Sequence, residues 1–320
     1  MNILKRIAMS AAASAVAFGG FAHGQSYPTK PIRLVVAAAA GSGSDLIGRY
    51  LAERLSPVLG QPIVMDNKPG ANGVIATQFV AKAPADGYTV MLAGSSTHVL
   101  VPALNPQLPY DPVKDFTPIG QIGLTGNVLI ANVSFPASNL KELIEFAKGG
   151  KAQYASYGNG SSAHFCGEAI NKLAKVKMQH IPYKTVPQII TDIIGGTVKI
   201  GFVDFTSATA FVQSGKVKAL ATCLSRSPSL PNVPTFRESG IDLDRSFRWV
   251  MSAPAGTPRP ILQRWTTALN EQLAIPEVKA RLQEMGIDVQ PVSNEVLSAA
   301  LANDLVFWRD FAQEVGIKAE

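Results

Sequence analysis

The chain is poor in cysteine, and its lysines and arginines are dispersed. Cys166 and Cys223 are the two cysteines among 320 residues. Two cysteines far apart in sequence do not form a disulfide framework, so we expect two buried free thiols, with a disulfide bond as the alternative. Runs of basic residues with interleaved aromatic residues are missing, which argues against a nucleic-acid partner.

Catalytic and metal-binding motifs are also missing. No G-x-S-x-G turn presents a nucleophilic serine. Beyond the N-terminal segment the histidines are His98, His164 and His180, and none has H-E-x-x-H or H-x-H spacing. We therefore expect no metal site and no cofactor. A hydrolase built from Ser162, His164 and Asp204 is the alternative, but hydroxyl groups beside glycines serve binding as well as attack, so we expect no enzyme activity.

Apolar runs long enough to cross a membrane are absent beyond the N-terminus. There, Lys5 and Arg6 precede an apolar run over residues 7–21, and small residues lead to a cleavage site before Gln25. This pattern predicts a secretory signal peptide over residues 1–24 and a soluble periplasmic protein. A membrane anchor is the alternative, but the run is short for a bilayer span. Cleavage lowers the formal net charge from +6 to +4, which suits an anionic ligand.

Short β-branched runs alternate with helical patterns along the remaining chain, whose length of about 295 residues favours two domains. The alternation spans residues 32–93 and restarts over residues 127–223. It indicates an α/β fold with mainly parallel, doubly wound sheets. Helices without strands are predicted over residues 260–315, so we expect this tail to pack back on the first lobe. The predicted domains are a discontinuous first lobe, residues 25–125 plus 249–320, and a second lobe, residues 126–248.

Three polar clusters follow predicted strands, and two of them lead into a helix. Glycine and serine there leave backbone N–H groups free to face a ligand, and a helix N-terminus adds partial positive charge, so the clusters favour an anion. Open α/β sheets bind ligands at these strand ends. The clusters are Gly41, Ser42, Gly43, Ser44 and Asp45; Ser95, Ser96, Thr97 and His98; and Asn159, Gly160, Ser161, Ser162 and His164.

The first cluster admits two other interpretations. It is also a tight turn in which Ser44 or Asp45 caps the following helix, a role that does not exclude ligand contact. Its glycines, with Asp66 after the second strand, partly match the fingerprint of dinucleotide-binding sites. Leu46 stands where the third glycine of that fingerprint is required, so we expect no dinucleotide.

Four residues near the predicted lobe boundary complete the candidate site. Asp204 and Phe205 follow a second-lobe strand, and Arg248 and Trp249 open the strand that returns to the first lobe. An arginine can bind a carboxylate through two hydrogen bonds, and two aromatic rings can enclose an apolar or flat ligand. The alternatives are core packing for the rings and a surface charge for Arg248, and the sequence leaves both open.

Several further segments resemble a known family, and they occur in the family's order. They are residues 27–33 (YPTKPIR), 66–71 (DNKPGA), 82–89 (KAPADGYT), 108–112 (LPYDP), 180–184 (HIPYK), 253–258 (APAGTP) and 316–320 (GIKAE). These segments are similar to those of tripartite tricarboxylate transporter (TTT) substrate-binding proteins, the Bug or TctC-like receptors. The resemblance covers essentially the whole mature chain.

The resemblance implies a periplasmic-binding-protein-like fold (Venus flytrap, type II) whose two lobes close around a carboxylate. The three clusters would hold the ligand, with Asp204 at the far side, and one carboxylate would meet backbone amides and ordered water. The implied partners are a small carboxylate and the membrane subunits of the transporter (TctA/TctB-like), with the receptor as a monomer. A sensory receptor that feeds a signalling protein has the same pocket and is the alternative.

The chain departs from the family where the ligand should lie. Four alanines over residues 37–40 replace a proline- and glycine-rich first loop, and Arg248 stands where an aromatic residue is common. These changes argue against a common ligand such as citrate or an amino acid. Arg248 for a second carboxylate and Phe205 for a flat ring suggest an aromatic dicarboxylate such as terephthalate.

Overall fold

The computed structural model describes residues 27–243 and 245–317. The predicted signal peptide, residues 1–24, lies outside the described residues. Within the described part, no helix has the length and apolar character needed to cross a membrane.

Strands and helices alternate along the described chain, as the hydrophobic patterns predict. The strands are β1 (Ile32–Val36), β2 (Ile63–Asn67), β3 (Thr89–Gly94), β4 (Phe116–Thr125), β5 (Asn127–Asn132), β6 (Gln153–Ser156), β7 (Gln179–Pro182), β8 (Ile200–Asp204), β9 (Val217–Cys223) and β10 (Phe247–Pro254). The helices are α1 (Gly43–Leu59), α2 (Val74–Ala81), α3 (Val101–Leu104), α4 (Leu140–Ala147), α5 (Ser162–Leu173), α6 (Val186–Gly195), α7 (Phe205–Gln213), α8 (Arg259–Ala274), α9 (Pro276–Glu284) and α10 (Asn294–Val315). A 3₁₀ turn, Ala71–Gly73, follows β2, and a π-helical turn, Ser96–Leu100, follows β3.

The strands form two five-stranded sheets, one in each lobe, which confirms the α/β class. The first sheet has the order β2-β1-β3-β10-β4, and the second has the order β7-β6-β8-β5-β9. In each sheet four strands run in one direction, and the fourth strand in the order, β10 in the first sheet and β5 in the second, runs antiparallel to both of its neighbours. The chain passes between the sheets at the short β4–β5 link and again between β9 and β10.

The sequence patterns missed β4. Pro118, Gly120 and Gly123 interrupt its apolar pattern, and such residues normally mark turns. At the edge of the sheet a proline costs no ladder hydrogen bond on its open side, and β10 pairs with β4 along its whole length, with register shifts beside Val250 and Met251. The strand therefore forms through its pairing with a distant segment.

The C-terminal helices cover more than the first lobe. Helix α8 packs Trp265 and Leu269 into the core of the first sheet, as expected for the tail. Helix α10 begins there, but its later residues Trp308 and Phe311 join the second-lobe core, where Trp308 lies edge-on to Phe165 at a centroid distance of 5.1 Å. Helix α10 therefore contributes side chains to the hydrophobic cores of both lobes.

The two cysteines form a disulfide, so the expectation of free thiols is wrong. Cys166 on α5 is bonded to Cys223 at the end of β9, and their Cα atoms are 6.0 Å apart. Register explains the pairing, because Cys223 lies opposite Asn127 on β5, and the Asn127 amide also approaches the Cys166 sulfur at 3.8 Å. Sequence spacing alone carries none of this geometry.

Candidate functional site

A cavity of about 760 Å³ lies between the two lobes. The first lobe lines it with the loops that follow β1, β2 and β3, and the second lobe with the loops that follow β6, β7 and β8. These are the carboxyl ends of parallel strands, the usual ligand position in open α/β sheets. Its lining includes Ala37, Ala38, Ala39, Ser42, Gly43, Ser44, Asn72, Gly73, Ser96, Thr97, Tyr157, Asn159, Ser161, Tyr183, Lys184, Thr185, Asp204 and Trp249.

Four helices begin at this cavity. Their N-cap residues are Ser42 for α1, Ser161 for α5, Thr185 for α6 and Asp204 for α7, and each cap side chain accepts a hydrogen bond from the third residue beyond it. The α1 cap is thus Ser42, not Ser44 or Asp45 as the sequence suggested. Helix N-termini carry partial positive charge and unpaired amides, and Lys184 adds a full charge at the cavity. This arrangement favours an anion.

Besides Trp249, eight of the predicted site residues line the cavity. They are Ser42, Gly43, Ser44, Ser96, Thr97, Asn159, Ser161 and Asp204. Asp204 is fixed as an N-cap by the Ser207 amide and hydroxyl, both 2.9 Å from its carboxyl oxygens. Burial raises the pKa of the Asp204 carboxyl, and the hydrogen bonds from Ser207 offset part of that rise.

Several other predicted residues lie outside the cavity lining and form hydrogen bonds that stabilise its loops. Asp45 is buried, accepts hydrogen bonds from the Gly41 amide at 2.9 Å and Arg49 Nε at 3.0 Å, and so braces the first loop. Burial alone would raise its pKa, but hydrogen bonds from Arg49, the Gly41 amide and Asn67, together with the Arg49 charge, outweigh burial and lower the pKa below its usual value. Ser95 Oγ accepts the Arg248 amide at 2.9 Å. His98 lies in the core between Thr97 and Ser252, with contacts of 3.2 Å to both hydroxyls.

In the second-lobe cluster, residues 159–164, the described hydrogen bonds of Ser161 and Ser162 do not join a serine hydroxyl to the ring of His164. Ser162 Oγ accepts a hydrogen bond from Asn127 at 2.9 Å and contacts the Tyr157 hydroxyl. His164 instead accepts the Gly160 amide at 3.1 Å and stacks on His180 at a centroid distance of 3.9 Å. The hydrolase alternative needs a serine–histidine hydrogen bond, and the described hydrogen bonds of Ser162 do not provide one.

Phe205 and Arg248 do not line the cavity, contrary to their predicted roles. Phe205 is fully buried in the second-lobe core, which is the alternative that the sequence left open. Arg248 Nε donates to Asp304 at 3.0 Å, and its Nη1 donates to Gln121 at 3.3 Å. A guanidinium already paired in this way is not available to a ligand carboxylate. Trp249 does line the cavity.

The lobes touch each other across the cavity, so the structure is a closed form. Ser162 N donates to Ser96 Oγ at 3.2 Å, and Asn72 Nδ2 donates to the Asn159 carbonyl. Gly43 packs directly against Asp204. A ligand held here would meet both lobes at once, as hinge closure requires.

The sequence of this chain is similar to those of known proteins over most of its length. The profile described as "Tripartite tricarboxylate transporter family receptor" (TctC) matches residues 47–317. The chain is 36% identical over 298 residues to a UPF0065 protein of Bordetella bronchiseptica, which covers 93% of this chain and 89% of that protein. This chain belongs to the TctC receptor family.

Two solved structures are similar to this chain in both fold and sequence. The periplasmic binding protein BugD superposes with a TM-score of 0.85 at 34% identity, over 92% of this chain and 100% of BugD. An R. palustris protein with adipate superposes with a TM-score of 0.87 at 28% identity, over 91% of this chain and 99% of that one. The two-lobed periplasmic-binding-protein fold expected from the resemblance is confirmed.

Sequence patterns missed part of this TctC-family cavity. Asn72 lies in a turn, residues 70–73, in which every φ is positive, and the glycines on either side were the available clue. Lys184 and Thr185 precede α6, where a threonine two residues before Pro187 is a typical helix start. The segments that resemble the family, residues 66–71 and 180–184, end beside Asn72 and at Lys184, but the resemblance predicts no ligand contact for these residues.

Two buried histidines, His98 and His164, and the half-buried His180 give this receptor a pH-dependent stability. Burial lowers the pKa of His98 and of His180 to about 4, and burial with the stacked His180 lowers that of His164 to about 3. Between these values and the unfolded pKa of 6.5, the unfolded chain binds protons that the native chain does not. Stability is therefore full above about pH 6.5 and is lost as the pH falls. The raised pKa values of Asp204 and Asp304 act in the opposite direction.

We therefore expect the melting temperature to fall between pH 7 and pH 5 and to change little between pH 7 and pH 8. Thermal unfolding followed by circular dichroism in matched ionic strength measures both intervals. A higher melting temperature at pH 5 than at pH 7 would show that the two carboxyls, and not the histidines, dominate.

Proposed function

We propose that this TctC-family receptor is exported to the periplasm, where it captures a small carboxylate between its lobes as a monomer. It delivers that ligand to the membrane subunits of a tripartite tricarboxylate transporter (TctA/TctB-like). The convergence of four helix N-termini on one cavity carries the proposal, because that arrangement suits a carboxylate. The disulfide between Cys166 and Cys223 agrees with an oxidising compartment.

Ligand capture works by closure of the lobes. The proposed ligand contacts are the eight predicted residues that line the cavity, together with Lys184 and Thr185. Because a carboxylate meets both lobes only in the closed form, binding shifts the population from open to closed. Catalysis is not part of this account, since Ser162 is hydrogen-bonded to Asn127 and Tyr157.

An aromatic dicarboxylate such as terephthalate would have to contact residues other than Phe205 and Arg248. Phe205 lies in the core and Arg248 is paired with Asp304. The aromatic side chains that line the cavity are Tyr157, Tyr183 and Trp249, and a flat ring would have to pack against these. The R. palustris neighbour carries adipate, an aliphatic dicarboxylate, so both ligand types belong in a test.

A thermal-shift panel tests the proposed function. We expect at least one small carboxylate, from a set of aliphatic and aromatic mono- and dicarboxylates, to raise the melting temperature. A ligand at 100 times its Kd adds about 2.7 kcal/mol of apparent stability. Sodium chloride at equal ionic strength is the control. A flat response across the whole panel would contradict the carboxylate assignment.

A further inference from the structure

A second groove lies on the first lobe, outside the ligand cavity. Its volume is about 800 Å³, and it is open to solvent. It is formed by the segment that leads into β1, by one face of α2 and by the loop before β3. Its charged lining residues are Lys30, Arg33, Lys82 and Asp86.

The groove carries excess positive charge that its own acid does not neutralise. Three lining cations face one lining carboxylate, and Asp66 outside the lining is shared between Arg33 and Lys68. The side chains of Lys30 and Arg33 are 60% and 52% exposed. Their ion pairs are long, at 3.9 Å from Lys30 to Asp86 and 3.6 Å from Arg33 to Asp66. Exposed pairs of this kind contribute little, so the cations can exchange their partners for an incoming anionic group.

Apolar side chains lie beside these cations. Ile75 is 52% exposed, and the Arg33 guanidinium lies over the Phe79 ring at 5.6 Å. Lys30 lies over the Tyr88 ring at 4.3 Å. A groove with apolar walls and a cationic rim fits a peptide that carries both acidic and apolar side chains.

Two of the segments that resemble the family meet at this groove. Residues 27–33 and 82–89 contribute to its lining and, within the described part of the chain, contribute nothing to the ligand cavity. Helix α2 connects the two sites, because the turn before it, residues 70–73, lines the cavity and touches the second lobe through Asn72. The groove is therefore attached to an element that contacts the second lobe in the closed form.

We propose that this groove docks an acidic periplasmic segment of the transporter's membrane subunits. The proposal rests on the proposed function. Charge complementarity selects the partner, since aspartate and glutamate side chains replace the weak pairs of Lys30 and Arg33 and engage Lys82.

Charge reversal tests the docking groove. In proteoliposomes that contain the membrane subunits, uptake of the ligand is measured against receptor concentration with wild type and with Lys30→Glu/Arg33→Glu/Lys82→Glu. We expect the half-saturating receptor concentration to rise at least about tenfold, with the ligand Kd within about twofold of wild type. The matched control, Lys141→Glu/Lys177→Glu/Lys279→Glu, has the same net charge at exposed positions and should behave as wild type.

The outcomes separate the two proposals. Normal uptake with the triple variant would overturn the docking groove alone, whereas no uptake with wild type would overturn the proposed function and the groove with it. If the triple variant does not fold, Lys82→Glu alone should still raise the half-saturating concentration. Sedimentation with phosphatidylglycerol vesicles completes the test: binding lost in the triple variant, with uptake unchanged, would assign the groove to lipid and overturn the proposal.

Discussion

A Gly43→Ala variant is expected to fold normally and to bind the carboxylate at least about tenfold more weakly. A Cβ atom at Gly43 would lie 2.0 Å from Asp204 Oδ1 and 2.8 Å from its Cγ. Asp204 cannot easily move aside, because its carboxyl oxygens hold the Ser207 amide and hydroxyl. The clash is between residues of different lobes, so we expect opening of the lobes to relieve it and the added methyl group to penalise the closed form selectively.

The same substitution at Gly195 is the control, because a Cβ atom there meets nothing within 4 Å. Alanine in place of glycine favours a helix, so neither variant should unfold more readily than wild type. Calorimetric titration gives the Kd, and small-angle scattering with ligand shows whether the lobes close. An unchanged Kd for Gly43→Ala would mean that closure against Asp204 is not required for binding.

Removal of the disulfide should lower the stability of the protein more than any other substitution proposed for it. For Cys166→Ala/Cys223→Ala we expect the free energy of unfolding to fall by about 2–5 kcal/mol, since the bridge closes a long loop in the unfolded chain. The two cysteines are 57 residues apart. Urea denaturation of the oxidised wild type and of the variant measures the difference.

Reductant provides the control for this prediction. It should lower the urea midpoint of wild type toward that of the alanine variant and leave the variant unchanged. A variant as stable as the oxidised wild type would show that the bridge does not stabilise the fold. The bridge also joins α5, which begins at the cavity, to β9 beside the β4–β5 link, so ligand affinity of the variant is worth measuring in the same preparations.

Most helices and strands of this fold could be predicted because their own residues show the apolar period and the end signals of a helix or a strand. The helices predicted over residues 260–315 are present as α8, α9 and α10, and α4 follows its Asn139 cap. The failures have long-range causes. Strand β4 forms by pairing with β10 despite Pro118 and two glycines, and the disulfide depends on the register that places Cys223 opposite Asn127.

The same distinction applies to the site. The loops at strand ends were predictable because glycine, serine and a helix start have a local physical meaning. Arg248 was assigned to the ligand because its partner Asp304, 56 residues away in sequence, is not visible in the local pattern. Phe205 shows that an aromatic residue after a strand can belong to the core even when the adjacent Asp204 lines the cavity.

The most direct test of the central claim compares one ligand with its uncharged form. Calorimetry would titrate the strongest carboxylate of the panel and its primary amide, in which each carboxylate is converted to a carboxamide, into the same protein. Because the helix N-termini and Lys184 favour negative charge, we predict one binding site and an affinity for the acid roughly 100-fold higher, or about 2.7 kcal/mol. Equal affinities for the acid and the amide would contradict a carboxylate receptor.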